Sequence, residues 1–375
     1  MAVASIRNAL VIGGGIAGMS AALVLSRLGI AVDVIDRDPA WRVYGAGISI
    51  TGPTMRVFQH LGILEDFRRV GYCAGSTRLF TPTGHLIGDV TSPPVAPGLP
   101  SDGGIMRPVL HDILASRTRT AAANVRLGVM VDAITQDAEG VDVRFSDGSQ
   151  GRYDLLIGAD GIYSRTRAML FPDAPKPRFT GQACWRVTTA RPDSVTGVEM
   201  YLGAPIKAGV NPCSPDQMYL FALETIAPNT RHEEADLPDL LRQRLAGFAG
   251  AVGYVRDAIT DQSVVNFRPL EALLLPGPWH TGRAILIGDA AHATTPHLAS
   301  GAGMAMEDAV VLGDELAKND SLGAAFAGFM ARRADRAALV VNNSIRLGEI
   351  EQSGVHSDEH PRLMHSTMAA LAQPL

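Results

Sequence analysis

Three glycine-rich junctions in this 375-residue chain carry the residue types and spacings best suited to chemistry. The first is Gly13-Gly14-Gly15-Ile16-Ala17-Gly18, with Asp36 downstream. Gly13, Gly15 and Gly18 fill the G-x-G-x-x-G pattern directly after an apolar run, and Asp36 ends the next apolar run. One glycine makes a tight turn, one lets backbone approach a pyrophosphate, and Gly18 lets a helix pack on the strand. The helix start then offers free amides and a positive dipole end to phosphate, and Asp36 suits a ribose hydroxyl. The second junction is Gly158-Ala159-Asp160-Gly161. The third is Gly288-Asp289, followed by Gly301-Ala302-Gly303-Met304. There Asp289 suits a polyol, and a helix start at Gly301 to Met304 can stabilise developing negative charge. A reduced flavin needs both.

These junctions demand a particular set of elements. Ile6 to Ile12, a helix to Leu28 and Ile30 to Ile35 read as a βαβ unit. Tyr153 to Ile157 and Ala284 to Ile287 read as buried strands ending at the other two junctions. Open α/β sheets bind ligands beyond the carboxyl ends of such strands, so three ends can serve one extended ligand. Between the second and third junctions the pattern changes. Ala183 to Ala190, Val198 to Leu202, Gln217 to Leu223 and Ser263 to Arg268 alternate like strands, with one helix at Leu237 to Ala246. This predicts an antiparallel sheet with a covering helix. Residues 76 to 106 form an earlier excursion, rich in proline and glycine from Pro93 to Gly104. Ser321 to Leu347 reads as helix.

Composition narrows the classes. Charged residues make up 19% and hydrophobic ones 46%, with a net charge of -5, which points away from nucleic acid and acidic membrane surfaces. Ala9 to Val32 is apolar, but its glycines, Arg27 and the lack of a basic leader predict a buried βαβ unit, not a membrane span. Three widely spaced cysteines, Cys73, Cys184 and Cys213, predict a reduced, cytoplasmic setting with no disulfide framework.

The three junctions, read as "DLLIGADGIYSRTR" and "GRAILIGDAAHATTPHLASGAGMAMEDAVVL" beside the first motif, resemble the fingerprints of the single-component flavin monooxygenases. That family of aromatic hydroxylases includes salicylate, 3-hydroxybenzoate and 6-hydroxynicotinate hydroxylases. The resemblance spans residues 6 to about 347. It implies an α/β fold: a Rossmann-like FAD-binding domain of the glutathione-reductase type, an inserted antiparallel-sheet substrate domain, and C-terminal helices. The expected division is 1–75, 105–175 and 275–345 for FAD, 76–104 and 176–274 for substrate, and 346–375 as a helical tail.

The resemblance also implies roles. Gly13, Gly15, Ile16, Ala17 and Gly18 would hold pyrophosphate, Asp36 the adenosine ribose, and Arg37 would lie beside adenine. Arg107 would contact the flavin dinucleotide. Asp160 would sit near the flavin and the nicotinamide path. Gly288 and Asp289 would meet the ribityl chain, and the backbone of Gly301, Ala302, Gly303 and Met304 would face the isoalloxazine. Pro296 would lie at the flavin edge where oxygen adds. The implied reaction uses FAD, NADH or NADPH, and O2 to hydroxylate a small aromatic or heteroaromatic substrate through a C4a-hydroperoxide, in a monomer or homodimer. Alternatives on the same fold are an epoxidase, a Baeyer–Villiger-type oxygenase or an alkene reductase; a flavin-binding regulatory module is the non-enzymatic one. The family usually has glutamate at Asp36, Pro-Asn at Pro53-Thr54 and Gly-Gln-Gly at Ala299-Ser300-Gly301.

The substrate wall should come from the inserted region, with Trp185, Arg186, Tyr201, Tyr219 and Phe221 as candidates. Strand alternation puts Tyr219 and Phe221 on one face, where ordinary sheet core is the competing reading. Arg186 is either a carboxylate partner or a solvated arginine. His297, directly after Pro296, is expected to line the active site and is a candidate base. His292 reads as a packed residue beside the flavin. His356, His360 and His365 fit no standard metal spacing and predict a flexible tail.

Overall fold

The structure is a computed structural model that describes residues 6–43, 45–91, 93–121, 123–354 and 358–375. His356 lies outside the described residues. The central sheet has six strands in the order His280–Thr281, Ala284–Leu286, Leu155–Gly158, Asn8–Ile12, Ala31–Asp36 and Asn124–Leu127. Its inner pairs are parallel. Parallel strands are covered on both faces and so read as unbroken apolar runs. Ala9 and Val11 face the core shared with the Ile16–Arg27 and Gly301–Lys318 helices. Leu10 and Ile12 face a three-stranded meander, Val131–Gln136, Val141–Phe145 and Gln150–Tyr153. All three glycine junctions therefore emerge at one edge.

A second sheet has seven strands: Asn266–Ala272, Arg178–Ala190, Gln217–Thr225, Ile206–Pro212, Val198–Tyr201, Ser76–Phe80 and Leu86–Thr91. It is antiparallel except where Ser76–Phe80 runs parallel to Val198–Tyr201. Two helices cover its outer face, Leu237–Arg244 and Gly250–Ala258. The sequence predicts only the first. The second contains Gly250 and Gly253, poor helix formers, and is held by burial of Ala251, Val252 and Val255. The excursion closes with Asp102–Met106, which pairs with Gly47–Thr51 and Tyr72–Ala74 in a small sheet between the two large ones.

The long helix Leu322–Ser353 and the helix Glu359–Ala372 complete the fold. The second is no flexible tail. Its closing carbonyls accept from Arg56 (2.9 Å to Ala372 O) and Arg336 (2.7 Å to Leu371 O), cations placed where the helix dipole favours them. The sequence could not show this, because both arginines come from distant helices. Among the described residues, no helix is long and apolar enough to cross a membrane, and no three His, Cys, Asp or Glu side chains are grouped to hold a metal.

Candidate active site

The first junction is built as a phosphate cradle. Gly13 has φ +105°, and a Cβ there would lie 2.5 Å from Ala159 O. A Cβ on Gly18 would lie 1.9 Å from Gly13 O, so only glycine lets the helix close on the strand. Gly15 differs, because a Cβ there meets nothing within 4 Å. The Ile16–Arg27 helix that follows has no side-chain cap and no acid in its first turn, so its first amides point outward unpaired by the protein. Asp36 accepts from Gly14 N and Asp38 N, each at 2.8 Å, which fixes its carboxylate while leaving lone pairs for a ligand. Arg37 is exposed beside it. Trp41 was not singled out from the sequence. Its indole donates to Gly14 O at 2.8 Å and lies beneath the Arg119 guanidinium, backing the cradle.

The second junction abuts the first, since the Cα of Asp160 sits against Gly13. Asp160 does not reach out freely. It accepts from the Ser164 hydroxyl and from Thr166 N and Oγ1 at 3.0 and 2.9 Å, capping its own turn. The adjacent Arg167 donates to Ala290 O (2.9 Å), tying this junction to the third. The third junction closes the ring: a Cβ on Gly288, φ +59°, would lie 2.9 Å from the Ala17 Cβ. Asp289 is open to the cleft, yet enough protein surrounds it that desolvation pushes its carboxyl pKa up, against the pull of His292 and Arg107.

Arg107 begins the Arg107–Thr120 helix, and its N–H donates to Ala46 O at 3.0 Å. Burial lowers its pKa, the Arg186 guanidinium lowers it further and Asp289 opposes. Gly45, Ala46, Gly47, Arg107, Arg186, Asn266 and Arg268 line a cavity of about 100 Å³ between the seven-stranded sheet and the Gly45–Gly47 segment. Three cations around one small cavity favour an anionic or electron-rich ligand. Arg268 and Asn266 were missed, although they sit on a predicted strand.

The register of the seven-stranded sheet sorts the wall candidates. Arg186 pairs across from Phe221 and from Asn266, so all three share the inner face, as does Tyr219, two residues from Phe221. Trp185 and Tyr201 are corrections. Both lie on the outer face beneath the covering helices, because alternation sends neighbours Trp185 and Arg186 to opposite sides. Trp185 donates to Glu224 Oε2 at 2.7 Å, and Tyr201 donates to Glu199 Oε2 at 2.8 Å. Trp185→Phe is accordingly expected to leave substrate KM within about twofold while lowering stability by roughly 1 kcal/mol, because Glu224 loses one hydrogen bond but keeps the Arg244 guanidinium at 2.8 Å. Steady-state kinetics beside a urea melt check this. Tyr219 is buried against Gly47 with its hydroxyl 2.9 Å from Ser49 Oγ, so it anchors the Gly45–Gly47 loop. Burial pushes its pKa up to about 12. Phe221 remains partly open on the inner face.

The segment from Thr295 to Ser300 leads into the Gly301–Lys318 helix, which again has no side-chain cap and no acid in its first turn. A Cβ on Gly303 would lie 2.2 Å from Thr54 Oγ1, so the helix start seats on the Gly52–Leu61 helix. Met304 is buried, its N–H donating to Ser300 O at 2.8 Å and its carbonyl accepting from Arg333 at 3.1 Å, so the free amides of this helix start are those of Gly301, Ala302 and Gly303. Ala299 holds φ +49°, a left-handed conformation that costs a non-glycine residue about 1–2 kcal/mol. Ala299→Gly should therefore raise unfolding stability by about 1 kcal/mol, measured by chemical denaturation.

His297 is a further correction. Its ring is buried, with Nδ1 2.8 Å from Thr295 Oγ1 and Nε2 3.0 Å from Gln182 Oε1. Pro296–Leu298 is a single 3-10 turn, which directs the His297 ring toward the Leu322–Ser353 helix and away from the cation-lined cavity. A ring with both nitrogens engaged is poorly placed to take a proton from a ligand directly. His292 is buried too, bonded to Asp308 at 2.6 Å.

Comparisons with known proteins match this layout. A family model described as FAD binding domain matches residues 7–344. An aurachin C monooxygenase/isomerase of Stigmatella aurantiaca is 33% identical over 353 residues, covering 92% of this chain and 89% of that protein. A FAD-dependent urate hydroxylase of Klebsiella oxytoca is 29% identical over 343 residues, covering 88% and 86%. The crystal structure of Klebsiella pneumoniae HpxO complexed with FAD and uric acid superposes with a TM-score of 0.82 at 26% identity, covering 98% of this chain and 92% of that one.

Proposed function

From the premise that this chain belongs to the FAD binding domain family and is an FAD-dependent monooxygenase, we propose that it uses NAD(P)H and O2 to hydroxylate a small, electron-rich heteroaromatic ring. The observation that supports this best is the contact of the three junctions. Gly13 touches the Ala159–Asp160 backbone and Gly288 touches Ala17, so one extended ligand can meet all three. Bound FAD supplies hydride acceptance and activation of oxygen.

The chain's own residues hold and orient. The amides of Gly15, Ile16 and Ala17 take the pyrophosphate, Asp36 the ribose, and exposed Arg37 the adenine side. Arg107 and Asp289 line the middle of the path. The uncapped amides of Gly301 to Gly303, just before Met304, face the end where negative charge develops, and Pro296 borders it. Asp160 acts by shaping its turn. The substrate ring lies against the inner sheet face, with Phe221 as the apolar contact and Arg186 and Arg268 favouring an anionic edge. The three unpaired cysteines accord with a reducing compartment.

The test is a panel of heteroaromatic compounds, including urate and 4-quinolones, scored by NADH and NADPH oxidation with the FAD-loaded protein. At least one ring should accelerate oxidation and gain a hydroxyl. Acceleration with none, or peroxide as the sole product throughout, would overturn the reading. Within the panel, Arg186→Ala should raise KM for acidic rings about tenfold and leave neutral ones nearly unchanged, as expected for one charge-assisted hydrogen bond.

A further inference from the structure

The Thr295–Ser300 segment is fastened from the side opposite the cofactor cradle. The His297 ring packs between the Arg178–Ala190 strand and the Leu322–Ser353 helix. Gly348 makes the room, since a Cβ there would come within 3.0 Å of the ring Cε1 and 3.2 Å of Nε2. A bulge between Phe179 and Ala183 brings Gln182 to the ring, and Gln352 secures the bulge by donating to Thr180 O at 3.0 Å. Beyond Gln182 Oε1, the ring Nε2 also faces Glu351 Oε2 at 3.4 Å. That oxygen makes no hydrogen bond of its own. The other, Oε1, meets the Lys207 ammonium and, at 3.1 Å, His360 Nε2. One sheet strand through Lys207, the Pro296–Leu298 turn and both C-terminal helices thus converge on one carboxylate, while a second strand reaches the ring through Gln182. Glu351 and His360 lie beyond residue 344, where the family match ends.

We propose that Glu351 is a positioning residue for the Pro296–Ala299 turn: paired to Lys207 and His360, its carboxylate fixes the tautomer and orientation of His297, and through it the turn that borders the flavin. The partners define the tautomer. Gln182 Oε1 accepts at Nε2 and the Glu351 carboxylate faces the same nitrogen at 3.4 Å, an arrangement that only a protonated Nε2 satisfies, so Nε2 carries the proton and Nδ1 accepts from the Thr295 hydroxyl. A carboxylate behind an imidazole holds it in one tautomer without itself taking the proton. The groups acting on His297 have known signs. Burial lowers its pKa most, Glu351 raises it, and Lys207 and His360 lower it, so the ring is neutral near pH 7. Burial opposes the Glu351 charge, but Lys207 and His297 hold its carboxyl well below the usual range.

The kinetic part of this inference rests on the monooxygenase reading; the spectroscopic part does not. With ¹⁵N-labelled histidine in the FAD-loaded protein, the His297 imidazole shifts should report a neutral Nε2–H ring at pH 7. In Glu351→Gln its titration midpoint should fall, because the charge favouring imidazolium is gone. At unchanged FAD content, kcat should drop on the order of tenfold with little change in KM, as misplacement near a reacting centre does, and Glu351→Asp should restore part of it. An Nδ1–H ring in the unmodified protein overturns the inference, and remains decisive if Glu351→Gln does not fold. So does Glu351→Gln with both midpoint and kcat unchanged. Failure of the unmodified enzyme to oxidise NAD(P)H with any ring would instead overturn the function.

Discussion

Gly15→Val should yield a folded protein that has lost its FAD. The three glycines of the first junction are not equivalent. A Cβ on Gly18 would strike Gly13 O at 1.9 Å, and one on Gly13 would strike Ala159 O at 2.5 Å while facing φ +105°. Side chains there break the βαβ unit itself, through overpacking and left-handed strain. Gly15 has an ordinary φ of -79°, and a Cβ there meets no protein atom within 4 Å. Valine therefore costs the fold little, roughly 0.5 kcal/mol as at other uncrowded sites. What it occupies is the space over the first amides of the Ile16–Arg27 helix, where pyrophosphate must approach backbone. FAD content after purification should fall below a tenth of the unmodified value, with near-native far-UV dichroism. Full FAD occupancy in Gly15→Val would refute the placement of the dinucleotide.

Arg333→Met should carry a large stability loss. Arg333 is fully buried. Its Nε donates to Asp308 Oδ1 at 2.7 Å and another nitrogen to Glu307 Oε2 at 2.6 Å, while Arg336 meets Glu307 at 2.8 Å. Asp308 also accepts from Gly288 N at 2.8 Å and pairs with His292 at 2.6 Å. Methionine fills the volume but removes one of the two guanidiniums that neutralise Glu307 and Asp308; Glu307 keeps Arg336 and Asp308 keeps Gly288 N and His292, so the cost is about 3 kcal/mol, the lower end for breaking a buried pair. The denaturation midpoint should move accordingly at unchanged m-value. Because Asp308 bonds the backbone of Gly288, the junction that presents Asp289 should loosen too, lowering FAD affinity. The network also sets a pH limit. Burial works against charge on Asp308, but His292 and Arg333 hold its pKa down to about 2. A depressed carboxyl stabilises the fold above its unfolded pKa near ~3.9 and loses that contribution as pH falls toward 2. Arg333→Met should shift acid unfolding to higher pH.

The cradle was legible because its signals are local. Gly13, Gly15, Gly18, Asp36 and the strand before them lie within one βαβ unit, and each acts through its own backbone or the next strand. Gly288 was legible for the same reason. The inserted sheet was legible as alternation, but period two defines two faces without saying which one looks inward. Trp185 and Tyr201 were assigned to the wrong face for that reason. A usable signal existed: Gln182, Arg186, Lys207 and Asn211 place polar groups on one face of otherwise apolar strands, and that face is the inner one. The direction of the His297 ring was not legible, because it depends on the room left at Gly348 and on partners at Gln182 and Glu351. Trp41 was hidden likewise, since its seat on Gly14 requires a left-handed residue that no pattern announces.

The account turns on one FAD, held across three junctions, delivering oxygen from O2 to a heteroaromatic ring. The most direct test is turnover of the most stimulating ring by the FAD-loaded protein with NAD(P)H under ¹⁸O₂. The product should gain a single heavy oxygen, with none when the label is in water. Heavy oxygen from water, or reductant consumed with FAD bound and no oxygenated product, would contradict the account.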